Sequence, residues 1–154
     1  MAKFSTKEIV NRKAKFEYHF IQVFEAGIVL TGTEVKALRE GLGNLTDAYC
    51  LFDDGNNLVV KNMHISEYDH GSIYNHDARR DRRLLLKKSE IKKLLRKVEE
   101  KGLTIIPYRL FFSERGFAKL EIALAQGKKA YDKRDSLKEK DQKRELERLK
   151  KIKL

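Results

Sequence analysis

Tryptophan is missing from these 154 residues, and cysteine and proline occur once each, at Cys50 and Pro107. A lone cysteine excludes an internal disulfide framework. Its place in an apolar, strand-like run, Tyr49-Cys50-Leu51-Phe52, predicts a buried thiol. Pro107 has no amide hydrogen, so the strand that holds it is expected to meet a sheet edge or a bulge there. Uninterrupted apolar runs are only a few residues long, which leaves nothing to span a membrane as a helix. Lys3 and Lys7 are followed by no apolar core of a secretory signal, and the expectation is a cytoplasmic chain. Gly-x-Ser-x-Gly, P-loop and His-Glu-x-x-His patterns are all absent, so no enzyme is expected. His64, His70 and His76 are spaced so that no helix or strand face holds them together. With the cysteine elsewhere, neither metal nor cofactor is expected.

Charge is what the chain has in abundance. Charged residues make up 37% of it, and the formal net charge is +11. That balance points to a polyphosphate partner, nucleic acid before membrane, against the plainer alternative of a basic solubilising surface. The charge is uneven. Residues 127–154 carry 12 basic and 6 acidic side chains, a net of +6, which leaves +5 for residues 1–126. This last stretch has too few apolar side chains to offset the entropy of ordering it. It nevertheless holds a capping-box pattern, Ser136 to Glu139, and acid-first i,i+4 pairs at Glu139/Lys143 and Glu147/Lys151. The division expected is a basic arm over 1–15, a folded body over 16–126, and a basic tail over 127–154 that is disordered alone and becomes helical on a polyanion.

Within the body, Phe16, Tyr18, Phe20, Gln22 and Phe24 alternate with Glu17, His19, Ile21, Val23 and Glu25, the period of a strand. Glu25-Ala26-Gly27 reads as a turn, with Ile28 to Gly32 returning as a second strand. Thr31-x-x-Glu34 opens a short helix with Val35 and Leu38 inward, stopped by Gly41 or Gly43. Asn44–Phe52 alternates again, Asp53-Asp54-Gly55-Asn56 is a hairpin signal, and Leu58–Met63 pairs back. An irregular stretch, 64–83, ends in Arg79-Arg80-Asp81-Arg82-Arg83. Ile91, Leu94, Leu95 and Val98 then mark an amphipathic helix, capped by Ser89 and ended by Gly102. Two further strands, Leu103–Phe112 and Phe117–Ala125, flank Ser113-Glu114-Arg115-Gly116. In the second of these, Ala118, Leu120, Ile122 and Leu124 face one way and Lys119 and Glu121 the other. The fold class is mainly β: a small OB-like barrel of about six strands with two to three helices, with a two-layer α+β sheet as the competitor.

Three separated basic segments are candidates for tracking a phosphate backbone: Arg12, Lys13 and Lys15 in the arm, Arg79 to Arg83, and the tail. Phe16, Tyr18, Phe20 and Tyr49 either stack on bases or fill the core. Glu25 is an anion among cations. It is either solvated or accepts from a base edge or a sugar hydroxyl.

Specific strings add to this reading. They are Asn11-Arg12-Lys13-Ala14, the run from Phe24 to Lys36 (FEAGIVLTGTEVK), Leu84-Leu85-Leu86, the run from Ile122 to Lys129 (IALAQGKK), and Tyr131-Asp132-Lys133-Arg134. In order and spacing the chain resembles the SsrA-binding protein (SmpB) family, from Asn11 into the tail. The resemblance implies a bacterial, non-enzymatic RNA-binding protein with an OB-like barrel. Such a protein binds the tRNA-like domain of transfer-messenger RNA (tmRNA). With elongation factor Tu it brings the alanyl-charged RNA to ribosomes stalled on truncated messages, where the nascent chain is tagged for degradation. By motif match, Glu25, Leu85 and Lys119 are implied in RNA binding, with Asn11, Arg12, Lys13, Arg80, Arg82 and Arg83 around them. Lys128, Lys129, Asp132, Lys133 and Arg134 fall in the tail motif implied to engage the ribosome at the small-subunit decoding region and message channel. A monomer with no membrane partner is expected. The competing readings are a basic structural or assembly component of the ribosome and a generic single-strand binder. Two positions depart from the family pattern: Ala78 stands where Pro usually follows Asp77, and Lys87 stands where His or Asn usually follows the leucines.

Overall fold

The computed structural model describes residues 8–68, 75–128 and 140–147. Strands β1 (Ile9–Val10), β2 (Tyr18–Ile28), β3 (Gly43–Asn44), β4 (Tyr49–Phe52), β5 (Leu58–Lys61), β6 (His64–Ile65), β7 (Arg82–Leu85), β8 (Thr104–Phe112) and β9 (Ala118–Gly127) are joined by three helices. These are α1 (Arg12–Glu17), α2 (Gly32–Arg39) and α3 (Lys88–Lys101). A further helix, α4, covers 140–147 and is exposed throughout. The larger sheet runs β1-β8-β4-β5-β7-β2-β9, and β9 pairs back with β8. Six strands, β8, β4, β5, β7, β2 and β9, therefore close into a ring. That is the OB-like barrel expected, and closure leaves those strands without a free edge along their paired lengths.

Both pairings of β9 are irregular where the barrel closes. The β2–β9 register shifts between Phe20 and Gln22, and the β8–β9 register shifts between Pro107 and Arg109. The second shift is the bulge that proline requires. Beyond it β1 takes up one edge of β8 at Leu110 and Arg109, while β4 uses the same edge at Ile105.

The alternation in β2 places Phe24, Ala26 and Ile28 inside, with Leu120, Ile122 and Leu124 of β9, Leu58 and Val60 of β5 and Ile105 and Leu110 of β8. Leu38 of α2 and Leu94 of α3 are both fully buried in this core. Cys50 is also buried there, and burial pushes its thiol pKa up. A smaller cluster lies apart: Ala14 of α1 packs with Ile106 and Ala125, beside Tyr18, Phe20 and Tyr108.

Several local expectations need correction. Glu25-Ala26-Gly27 is not a turn, because β2 runs unbroken from Tyr18 to Ile28 and all three residues are paired with β9. Gly27 leaves ordinary room for a side chain: a Cβ there would lie 3.4 Å from the Leu85 Cβ of the neighbouring strand. The strand expected over Asn44–Phe52 is two pieces, β3 and β4, which pair with β6 and β5 respectively. Val35 is only half-buried, and Ala37 with Leu38 forms the inner face of α2. Helix α3 starts one residue before Ser89; its N-cap is Lys87, whose N–H donates to Glu90 Oε1 at 3.2 Å. Its end agrees with the sequence: Gly102 adopts a left-handed φ of 61°, a conformation that costs glycine no Cβ clash.

Candidate nucleic-acid interface

Three adjacent strands of the barrel, β7, β2 and β9, bring the principal site residues onto one outer face. Gly27 of β2 pairs with Leu85 of β7 on one side and with Lys119 of β9 on the other. Directly paired residues of antiparallel strands project to the same side of the sheet. Leu85, Gly27 and Lys119 therefore form one row, and Glu25 stands on the same face in the next row. Glu25 is exposed, Leu85 is 52% exposed, and Lys119 is half-buried. An anionic acceptor, a cation and an apolar side chain thus surround a glycine floor. The face continues with Val23, 47% exposed, and Val29, 43% exposed. Arg83, two residues before Leu85 in β7, also points outward.

The second basic cluster divides in two. Arg83 and Arg79 are exposed, but Arg82 is not available to a phosphate. Its side chain is fully buried, with Nε donating to Glu34 Oε2, Nη1 donating to Met63 O at 2.6 Å and Nη2 shared between Asp77 O and Ala78 O at 3.4 and 3.3 Å. Arg80 is intermediate: Nη2 donates to Glu34 Oε1 at 2.6 Å and to Val29 O at 3.3 Å, with 35% of the side chain exposed. Glu34 accepts from both arginines and from the Thr31 N–H at 2.9 Å, the last being half of the capping box that starts α2. Burial alone would raise the pKa of Glu34. The hydrogen bonds from Arg80, Thr31 and Arg82 outweigh burial and hold the carboxyl below its ordinary value. One buried carboxylate thus ties α2, the 75–81 loop and β7 together.

His76 belongs to the same knot. It is buried, with Nδ1 2.9 Å from Thr33 Oγ1 and Nε2 2.9 Å from Ile65 O. His64 is half-buried in β6, and His70 lies outside the described residues. Among the described residues no group of three or more metal-ligating side chains comes together.

Asn11 likewise holds the fold. It is 4% exposed, its Nδ2 donates to Leu45 O at 3.1 Å and Pro107 O at 3.3 Å, and its N–H donates to Tyr108 O at 2.7 Å. Arg12 and Lys13 are exposed on α1, just before Tyr18, and so near the far end of β2 from Glu25. Of the aromatic candidates, Phe20 meets Tyr108 edge-on at 5.3 Å and is part of the packing. Tyr49 is 39% exposed and lines, with Tyr18 and Lys13, a cleft of about 340 Å³. Phe16 is half-buried.

In the tail, Lys128 N–H donates to Glu17 O at 2.8 Å. Lys129, Asp132, Lys133 and Arg134 lie outside the described residues.

Arg109 was not singled out in the sequence. Counting outward from the closing pair Ser113/Phe117, rather than from the four-residue turn read in the sequence, sets Arg109 opposite Glu121. The guanidinium donates to Glu121 Oε2 through Nη2 at 3.0 Å and Nε at 3.2 Å, and to Glu8 Oε1 through Nη1 at 2.6 Å. It lies 4.4 Å from the centroid of the Phe111 ring.

The SmpB protein family model matches residues 8–152. This chain belongs to the SmpB family. It is 58% identical over 151 residues to the SsrA-binding protein of Cytophaga hutchinsonii, covering 94% of this chain and 98% of the relative. It is 57% identical over 141 residues to that of Phocaeicola vulgatus, covering 92% and 93%. The SsrA-binding protein of Trichodesmium erythraeum is 53% identical over 139 residues, covering 90% and 88%. Among solved structures, a chain from "tmRNA-SmpB: a journey to the center of the bacterial ribosome" superposes with a TM-score of 0.68 at 45% identity, covering 84% of this chain and 94% of the other. For this SmpB-family chain, no helix among the described residues is long and apolar enough to cross a membrane.

Proposed function

We propose that this protein binds the tRNA-like domain of tmRNA and delivers it to stalled ribosomes, acting as an RNA-binding factor without bond-making chemistry of its own. Family membership supports the class of RNA. The observation that carries the reading is the convergence of Leu85, Gly27 and Lys119 in one row of the barrel with Glu25 beside them. Glu25 accepts from a base amine or a ribose hydroxyl, Lys119 meets a phosphate, and Leu85 packs against a sugar or base face over the glycine floor. Arg83 adds a second phosphate contact, and Arg12 and Lys13 a third from α1. The tail, with Lys128, Lys129, Asp132, Lys133 and Arg134, engages the decoding region and message channel of the small subunit. Elongation factor Tu accompanies the alanyl-charged RNA, and the work is done in the cytoplasm by a monomer.

Competition binding tests this reading: labelled tRNA-like domain is held by the full chain and challenged with unlabelled tmRNA, unstructured RNA and single-stranded DNA. A tmRNA binder releases the label to tmRNA alone at comparable concentrations. Equal competition by all three overturns the assignment in favour of a generic single-strand binder. Truncation after Ala130 is expected to leave this affinity nearly intact while abolishing tagging on stalled ribosomes, and loss of most of the affinity would remove the division between barrel and tail.

A further inference from the structure

Two carboxylates face each other on the outer surface of the barrel. Glu25 of β2 pairs directly with Glu121 of β9, and like charges directly opposite in a sheet are unfavourable. Left to itself, the pair would also repel any phosphate approaching Lys119. The next strand supplies the remedy. Arg109 of β8 pairs with Glu121 on its other side, so that Arg109, Glu121 and Glu25 form a single row across three strands. Arg109 grips Glu121 Oε2 through two nitrogens, is held at its third by Glu8, and rests on the Phe111 ring. Burial is the largest single influence and lowers its pKa, but the hydrogen bonds and charges of Glu121 and Glu8 together outweigh it and raise the pKa, and the guanidinium stays charged. Among the described residues Glu121 is therefore paired, whereas Glu25 makes no ion pair or side-chain hydrogen bond. The other charged groups that strand register brings toward Glu25 are Lys119 on β9 and, two residues beyond Leu85, Lys87.

We propose that Arg109 is a positioning residue for RNA recognition. It ties down the charge of Glu121 and leaves Glu25 as the free acceptor of that row. The inference rests on the reading of Glu25 as an RNA acceptor, and Arg109 itself touches no RNA.

The test is the affinity of the full chain for tRNA-like-domain RNA, measured by fluorescence anisotropy over a salt series, with thermal unfolding followed for every variant. Arg109→Met is expected to weaken binding roughly three- to fivefold, the scale of a cross-strand like-charge pair. Arg109→Lys keeps the charge and stays within about twofold of wild type, as does Arg109→Met combined with Glu121→Gln, which removes the charge that Arg109 was holding. The slope of log affinity against log salt is unchanged throughout, because no phosphate contact is lost. A slope reduced by about one, with no rescue by Glu121→Gln, overturns the inference by making Arg109 a direct phosphate ligand. So does an unchanged Arg109→Met when Glu25→Gln weakens binding. If Glu25→Gln itself has no effect, the reading of Glu25 fails and takes the inference with it. Should Arg109→Met not fold, the double variant carries the decision: wild-type affinity supports the inference, and a reduced slope overturns it.

Discussion

The Arg82 guanidinium and the Glu34 carboxylate are paired where neither has any solvent-exposed surface. The two residues come from β7 and α2, 48 positions apart in the chain. Removing one partner leaves an uncompensated buried charge, which costs far more than the intact pair contributes. Glu34→Ala is therefore expected to lower unfolding free energy by about 3–5 kcal/mol in urea titrations. Glu25→Ala, on the exposed face, should stay within about 0.5 kcal/mol of wild type.

The same carboxylate sets an acid limit on stability. Its folded-state pKa lies below the ordinary value of 4.5, so the folded state binds the proton less readily than the unfolded chain does. The stabilisation is present in full above pH 4.5 and is lost as pH falls through the depressed folded pKa. Unfolding midpoints measured from pH 7 to pH 3 should hold steady and then drop on the acid side of that value. In Glu34→Gln the drop should be smaller, starting from a lower plateau.

Ala78 occupies the second position of a turn in which Arg80 N–H donates to Asp77 O at 3.2 Å. No hydrogen bond from its own N–H is made among the described residues, and its carbonyl accepts from Ile65 N–H and Arg82. Proline favours this turn position and restricts the unfolded chain. Ala78→Pro is expected to raise stability by about 0.4–1 kcal/mol by chemical denaturation, with RNA affinity unchanged. A destabilised variant would show that the backbone at 78 cannot take a proline φ.

Gly27 gives a cleaner separation of folding from binding. A valine there adds β-propensity, worth up to about 1 kcal/mol, and its Cβ meets Leu85 at an acceptable 3.4 Å. Its methyl groups, however, rise between Leu85 and Lys119, where a nucleotide would lie. Gly27→Val should melt no lower than wild type and bind tRNA-like-domain RNA at least about tenfold more weakly, a loss of about 1.4 kcal/mol. Undiminished affinity would move the RNA off this row.

The sequence made some of this legible and hid the rest for identifiable reasons. The Thr31–Glu34 capping box is local, so the start of α2 could be read directly. The second task of Glu34 could not, because its arginine partners arrive from distant sequence. Arg82 looked like its neighbours because composition does not distinguish an inward cation from an outward one. The strand period separates them only once β7 is known to begin at Arg82, within the stretch expected to be irregular: Arg82 and Leu84 share the buried side while Arg83 and Leu85 share the exposed one. Gly27 reads as a turn because glycine commonly marks one, and only its pairing with Leu85 and Lys119 shows that it lies within a strand. Glu25, Leu85 and Lys119 were found through family resemblance. Their meeting depends on the long-range pairing of β7 and β9 to either side of β2, which no single stretch of sequence encodes.

Strand β2 spans two otherwise separate places. Glu25 and Gly27 are near one end, while at the other Tyr18 pairs with Gly127 and the Glu17 carbonyl holds the N–H of Lys128. From Tyr18 to Glu25 the strand covers about 23 Å at roughly 3.3 Å per residue. With β9 paired alongside from Tyr18 to Gly27, apart from the register shift between Phe20 and Gln22, this is a strut whose length the side chains cannot adjust. The basic tail therefore sets out from a mounting point at a set distance from Glu25. A one-residue insertion in the middle of β2 would do more than disturb the core: it would change the gauge between the two.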